Sequence, residues 1–153
     1  MSTFLFDQII FGPVSSRRLG VSLGINLLPN DSKYCNFNCI YCECGWTPES
    51  KKMDFTFHDR KIVKESLEEK LSAMVKNDEA LDVITYAGNG EPTMHPDFEG
   101  IIDDTILLRN QYFPKARIAV LTNATLLNKD MVLRSLNKID DAILKLDSVF
   151  PET

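Results

Sequence analysis

The sequence has no apolar run long enough to cross a bilayer, no internal repeat, no low-complexity tract and no flexible linker. The first absence excludes a spanning helix, which needs about 20 consecutive apolar residues. The others point to a single folded unit. Basic residues are not in excess either: 17 Lys and Arg against 22 Asp and Glu give a formal charge of -5. A general electrostatic footprint for nucleic acid or an anionic membrane is therefore missing, and only a local basic patch stays open. No basic segment precedes the partly apolar first residues, which Asp7 and Gln8 interrupt, so they do not read as a secretory signal. These absences suggest a cytoplasmic setting in which thiols stay reduced. Cysteines crowded between Cys35 and Cys44 then read as metal ligands before disulfides.

What is present is the balance of a globular domain: 153 residues, 44% hydrophobic and 25% charged, enough to bury one core. From Phe4 to Pro29 the chain reads as an extended lead-in followed by a strand, Gly24–Leu28. A long loop to about Thr56 holds every cysteine. Val63, Leu67, Leu71 and Met74 or Val75 then repeat at helical spacing. Three short apolar runs follow, Asp82–Ala87, Arg117–Thr122 and Ala142–Asp147, and their composition suits strands covered on both faces. Helices separate them. Pro96 stands where a first helical residue is expected, ahead of the apolar stripe Phe98, Ile101, Ile102 and Leu108. Asn128 is the expected cap of the next helix, with Leu127 and Val132 as a hydrophobic staple.

This alternation predicts an α/β fold, the N-terminal portion of a partial βα (TIM-like) barrel with consecutive parallel strands. Residues 1–153 are expected to form one core domain truncated after the fourth strand. Polar or glycine-rich residues follow every predicted strand: the cysteine loop, Gly88-Asn89-Gly90-Glu91, Thr122-Asn123 and Asp147-Ser148. Parallel strands place these ends on one side of the sheet, so the chemistry is expected at one mouth.

Cys35, Cys39 and Cys42 bring three thiols into one tight loop. Thiolates are the usual ligands of iron–sulfur clusters, and three of them leave one iron of a four-iron cluster open, as a catalytic metal centre requires. Two alternatives stand beside this. A zinc site would use the same three cysteines with Cys44 or His58. An electron-transfer cluster would need a fourth ligand, which Cys44, only two residues beyond Cys42, is poorly placed to supply.

The Cys-x3-Cys-x2-Cys spacing with Tyr41 before the last cysteine resembles the radical S-adenosylmethionine superfamily, and Gly88-Asn-Gly-Glu-Pro92 resembles its Gly-Gly-Glu motif, with Asn89 in place of a glycine. Phe11-Gly-Pro-Val-Ser-Ser-Arg-Arg-Leu-Gly20 is similar to a subgroup of uncharacterised iron–sulfur oxidoreductases like the tRNA wybutosine-synthesising radical enzymes. The resemblance implies an enzyme in which a 4Fe-4S cluster on Cys35, Cys39 and Cys42 reductively cleaves S-adenosylmethionine to a 5′-deoxyadenosyl radical. It also implies an electron donor such as flavodoxin or ferredoxin. Gly90 and Glu91 would hold the methionyl amino group, and Asn123 would line the same mouth. Tyr41 would pack near the adenine or wall off the cluster. Asp147, on one face with Lys145 and Ile143, would meet the cofactor's ribose or carboxylate, or else pair with Lys145. Arg17 and Arg18 read either as contacts to an anionic substrate or as a solvated hairpin pair. The substrate is not named by these motifs, and tRNA, suggested only by the subgroup, fits poorly with the acidic charge.

Overall fold

The computed structural model describes residues 4–48 and 56–145. It is a mixed α/β structure around a five-stranded sheet ordered β1-β2-β3-β4-β5. The strands are β1 (Ile10–Ser16), β2 (Gly20–Ile25), β3 (Val83–Tyr86), β4 (Arg117–Thr122) and β5 (Asp141–Leu144). The helices are α1 (Arg60–Lys76), α2 (Phe98–Tyr112) and α3 (Asp130–Leu136), with a short 3-10 turn at Pro92–Met94. Strands β2 to β5 pair in parallel, as the alternating pattern predicts. The described sheet is open, with β1 and β5 at its edges.

The N-terminal segment departs from the expected lead-in. It forms a hairpin in which β1 pairs antiparallel with β2, with a register shift between Phe11 and Val14. Gly24 permits this pairing, since a Cβ there would fall inside the Phe11 ring. The β2 strand also begins and ends earlier than the predicted Gly24–Leu28. Asn26 ends it: its Oδ1 accepts from Leu28 N at 3.3 Å, and its Nδ2 donates to Leu28 O at 3.1 Å. A side-chain amide that satisfies the backbone two residues on replaces the sheet ladder and turns the chain out.

The helices cover the face that carries Leu23, Ile25, Ile84, Tyr86, Ile118 and Val120. In α1, Val63, Leu67, Leu71 and Met74 are buried and Val75 is half-exposed, so the stripe continues through Met74. Asp59 caps this helix by accepting from Lys61 N at 2.7 Å. In α2 the predicted stripe is buried, but the helix starts two residues after Pro96, with Asp97 at the cap. Lys129, not Asn128, stands at the N-terminal cap position of α3, without a side-chain cap bond, and Leu127 packs against the core cluster that contains Val132. Charged pairs lock the helices together. Asp104 of α2 takes two bonds from Arg60 of α1, at 2.7 and 3.1 Å. Arg134 of α3 forks onto Glu99 of α2 at 3.0 and 2.8 Å. Residues alternating with the core set face the other side of the sheet, where the Ser22 and Thr85 hydroxyls bond at 2.8 Å and Arg117 pairs with Asp141 at 2.6 Å.

Candidate functional site

The C-terminal ends of β2 to β5 open on one side of the sheet. A cavity of about 700 Å³ lies there, and all four cysteines line it together with Tyr41, Gly90, Glu91, Asn123 and Lys145. The structure therefore gathers around one mouth every predicted site residue that it describes. Asp147, also predicted, lies outside the described residues, so its suggested pairing with Lys145 is not described.

The turn after β3 is stitched to the cysteine loop through the backbone. Tyr34 N donates to Asn89 O at 2.8 Å, and Glu91 N donates to Tyr34 O at 3.1 Å. Gly90 sits at φ 140°, and a Cβ there would collide with the Tyr34 carbonyl. Only glycine accommodates both demands. Asn89, which replaces a glycine of the motif, is fully buried and faces the N-terminal segment. Its amide exchanges two bonds with the Phe6 backbone, each 2.8 Å, and donates a third to Pro29 O at 2.8 Å.

Glu91 is buried and already heavily used. Its Oε1 accepts from Thr93 N at 3.2 Å, Thr93 Oγ1 at 2.6 Å and Thr122 Oγ1 at 2.6 Å. Its Oε2 accepts from Asn123 N at 2.8 Å. An ionised carboxylate offers about four lone-pair sites, so Oε2 is the atom with room for a further donor. Glu91 thus ties the end of β3 to the end of β4, a role its sequence position alone did not reveal.

Asn123, expected at the mouth, makes a local turn bond as well as reaching the cysteine loop. Its Oδ1 accepts from Thr125 N at 3.1 Å, a local turn bond. Its Nδ2 reaches the cysteine loop, 2.8 Å from Asn36 Oδ1 and 3.7 Å from Cys35 Sγ. Phe37 N also donates to Cys35 Sγ at 3.4 Å. N–H donors on sulfur stabilise thiolate charge and tune iron–sulfur centres. Burial pushes the Cys35 thiol up, while the Phe37 bond and then the Lys33 charge pull it down.

The rest of the loop is braced by residues that sequence reasoning missed. Lys33 donates to Gly45 O at 3.0 Å, Thr47 N donates to Asn38 Oδ1 at 2.7 Å, and Thr47 Oγ1 donates to Cys35 O at 3.0 Å. Successive turns, Cys42 N to Cys39 O and Gly45 N to Cys42 O, fold the cysteines inward. Cys44 Sγ donates to Gly88 O at 3.5 Å. Burial and the neighbouring Cys42 push its thiol up to about 11, the direction of a group that stays protonated. The one clue to these braces was the run of asparagines beside the cysteines. Tyr41 stands half-exposed at the rim, with Lys145 Nζ 3.8 Å from its ring centroid. The hairpin turn leaves Arg17 and Arg18 exposed, and Arg18 reaches the cavity wall.

His58 takes no part in the cavity wall; its Nε2 lies 3.0 Å from Asn30 Oδ1. His95 is buried with both ring nitrogens used, Nε2 on His58 O at 2.9 Å and Nδ1 accepting from Asp97 N at 3.1 Å. Burial lowers the pKa of both rings, and the neutral His95 tautomer has its proton on Nε2. Among the described residues, no three His, Cys, Asp or Glu side chains converge as the ligands of a single ion do. A cluster makes a different demand, because each thiolate binds its own iron and the thiols ring a space. The cavity wall, the donors on Cys35 Sγ and the cation of Lys33 fit such an anionic group.

The described residues thus define a class of α/β protein that gathers cysteines in a loop at the C-terminal ends of its parallel strands. Comparison with known families gives the particular assignment. The Radical SAM superfamily model matches residues 30–153, and the chain belongs to this superfamily, whose members use a four-iron cluster and S-adenosylmethionine. The chain is 35% identical over 141 residues to the UPF0026 protein MJ1312 of Methanocaldococcus jannaschii, covering 92% of this chain and 41% of that protein. It is 33% identical over 141 residues to a UPF0026 protein of Helicobacter pylori, covering 92% and 43%. A UPF0026 protein of Synechocystis, slr1464, is 34% identical over 143 residues, covering 94% and 49%. The chain thus spans less than half the length of these relatives. No solved structure matches it. Among the described residues, no helix is long and apolar enough to cross a membrane.

Proposed function

We propose that this chain carries the cofactor-binding mouth of a radical S-adenosylmethionine enzyme, with a 4Fe-4S cluster on Cys35, Cys39 and Cys42. The observation that carries this reading is the meeting of the three thiols with Gly90 and Glu91 around one cavity at the strand ends. The parallel strands would form part of a barrel wall, and the reduced thiols suit a cytoplasmic setting. When bound, a cluster held by Cys35, Cys39 and Cys42 would supply the one-electron reductive cleavage of S-adenosylmethionine that such enzymes use for hydrogen abstraction.

The chain's own residues do the positioning. Glu91 Oε2 accepts a hydrogen bond from the methionyl ammonium, on the one oxygen with a site left. Gly90 keeps the wall free of a side chain beside Tyr34. Asn123 orients Cys35 and lines the mouth, while Tyr41 with Lys145 shields its rim. Asp147, by resemblance, contacts the ribose or carboxylate. Electrons come from a flavodoxin- or ferredoxin-type donor, and the substrate class is open.

The deciding experiment is anaerobic reconstitution with iron and sulfide, followed by S-adenosylmethionine and dithionite. Formation of 5′-deoxyadenosine and methionine is the expected result. A colourless, zinc-loaded protein that produces neither would overturn the proposal in favour of a binding or docking module.

A further inference from the structure

Lys33 is 2% exposed, an unusual place for a side chain that ends in an ammonium. None of the ion pairs among the described residues involves it. Its Nζ has two acceptors, Gly45 O at 3.0 Å and Asn38 Oδ1 at 3.5 Å, the second at the outer limit of a hydrogen bond. An ammonium has three donors, so one is left without a protein acceptor among the described residues. A buried charge is costly unless it is paired. Lys33 lines the same cavity as the four cysteines. The partner that balances it is therefore to be sought among the sulfurs.

We infer that Lys33 is a positioning residue for redox chemistry: its buried cation offsets the negative charge of the thiolate-bound cluster and makes one-electron reduction easier. This rests on the proposed cluster on Cys35, Cys39 and Cys42. With three thiolates, a resting four-iron cluster carries about one net negative charge and, after gaining one electron from the donor, about two. A fixed cation in a low-dielectric wall favours the second state over the first. Asn38 and Thr47 play a different part. They hold the loop's shape without supplying charge, so they separate bracing from electrostatics.

The test is anaerobic redox titration of the reconstituted chain, followed by its visible absorbance, in wild type, Lys33→Met, Lys33→Arg and Asn38→Ala. Iron is counted in each. Lys33→Met is expected to keep its iron and become at least tenfold harder to reduce, a midpoint lower by about 59 mV or more for one electron. Lys33→Arg and Asn38→Ala should stay near wild type. A Lys33→Met midpoint equal to that of wild type would overturn the inference. If Lys33→Met fails to assemble a cluster, retention by both Lys33→Arg and Asn38→Ala supports a need for charge, and loss from either assigns Lys33 to loop shape and sinks the idea. A wild-type chain that assembles no four-iron cluster instead rejects the underlying functional proposal, so the two failures are distinct.

Discussion

At the scale of single residues, Glu91 carries two loads at once. Four donors already converge on its carboxylate, so Glu91→Ala leaves the Thr122 hydroxyl and the Asn123 N–H without their acceptor. Orphaned buried donors cost about 1–3 kcal/mol each, and Glu91→Ala should lower unfolding stability by about 2–4 kcal/mol in urea titrations. Glu91→Gln keeps an oxygen for most of those donors while removing the charge. It should retain the cluster iron and weaken S-adenosylmethionine binding about tenfold in equilibrium dialysis; an unchanged affinity would remove Glu91 from the cofactor site. The cysteines divide differently. Cys35→Ser, Cys39→Ser and Cys42→Ser should each lose the four-iron cluster on reconstitution. Cys44→Ser should keep it, because the Cys44 thiol is bonded to Gly88 O and pushed up to about 11 by burial and Cys42. Equal iron loss in all four would promote the electron-transfer alternative.

Among the elements, α1 depends on its buried stripe. Leu67 and Leu71 are essentially fully buried between helix and sheet, so Leu67→Ala should cost about 2–5 kcal/mol in chemical unfolding. The contact between α2 and α3 carries a pH signature. Hydrogen bonds from Arg134, then Lys138, hold the Glu99 carboxyl down to about 2 from an ordinary 4.5. A depressed carboxyl contributes stability that is full above about 4.5 and is lost as pH falls toward 2. Thermal melts of wild type and Glu99→Gln should therefore differ near neutral pH and converge at low pH. A gap that is constant with pH would mean that the ion pair is not its source. The pair lies at the surface, where such contacts are individually weak, so the effect should be small.

For the whole molecule, the site is assembled from loops that follow four different strands, while the core sits on the helix side of the sheet. Ligand binding at the mouth should thus order the loops more than the core. Hydrogen exchange is expected to show amides of residues 34–48 gaining protection on cluster loading, with those of α1 little changed. A uniform gain across both regions would mean that loading is coupled to global folding instead.

Much of this architecture was legible in one dimension. The 3.6-residue stripes of α1 and α2 and the apolar runs of β3 and β4 appear where the sequence predicts them, because burial on a covered sheet demands those patterns whatever the neighbours are. The thiol spacing was equally direct, since a loop of eight residues cannot hold Cys35, Cys39 and Cys42 far apart. Boundaries were less legible. The β1–β2 hairpin hid behind its Gly-Pro interruption, and Asn26 ended β2 through side-chain bonds that no periodicity announces. What only the tertiary structure decided is who meets whom. Glu91 reads as a carboxylate after a glycine turn, yet two of its four donors, Thr122 and Asn123 at the end of β4, come from 31 and 32 residues away. Nothing in the local pattern around Lys33 signals its burial, which the fold imposes beside the cysteines. Composition and spacing fix local chemistry because they act over a few residues; burial and long-range hydrogen bonding depend on the chain returning to itself.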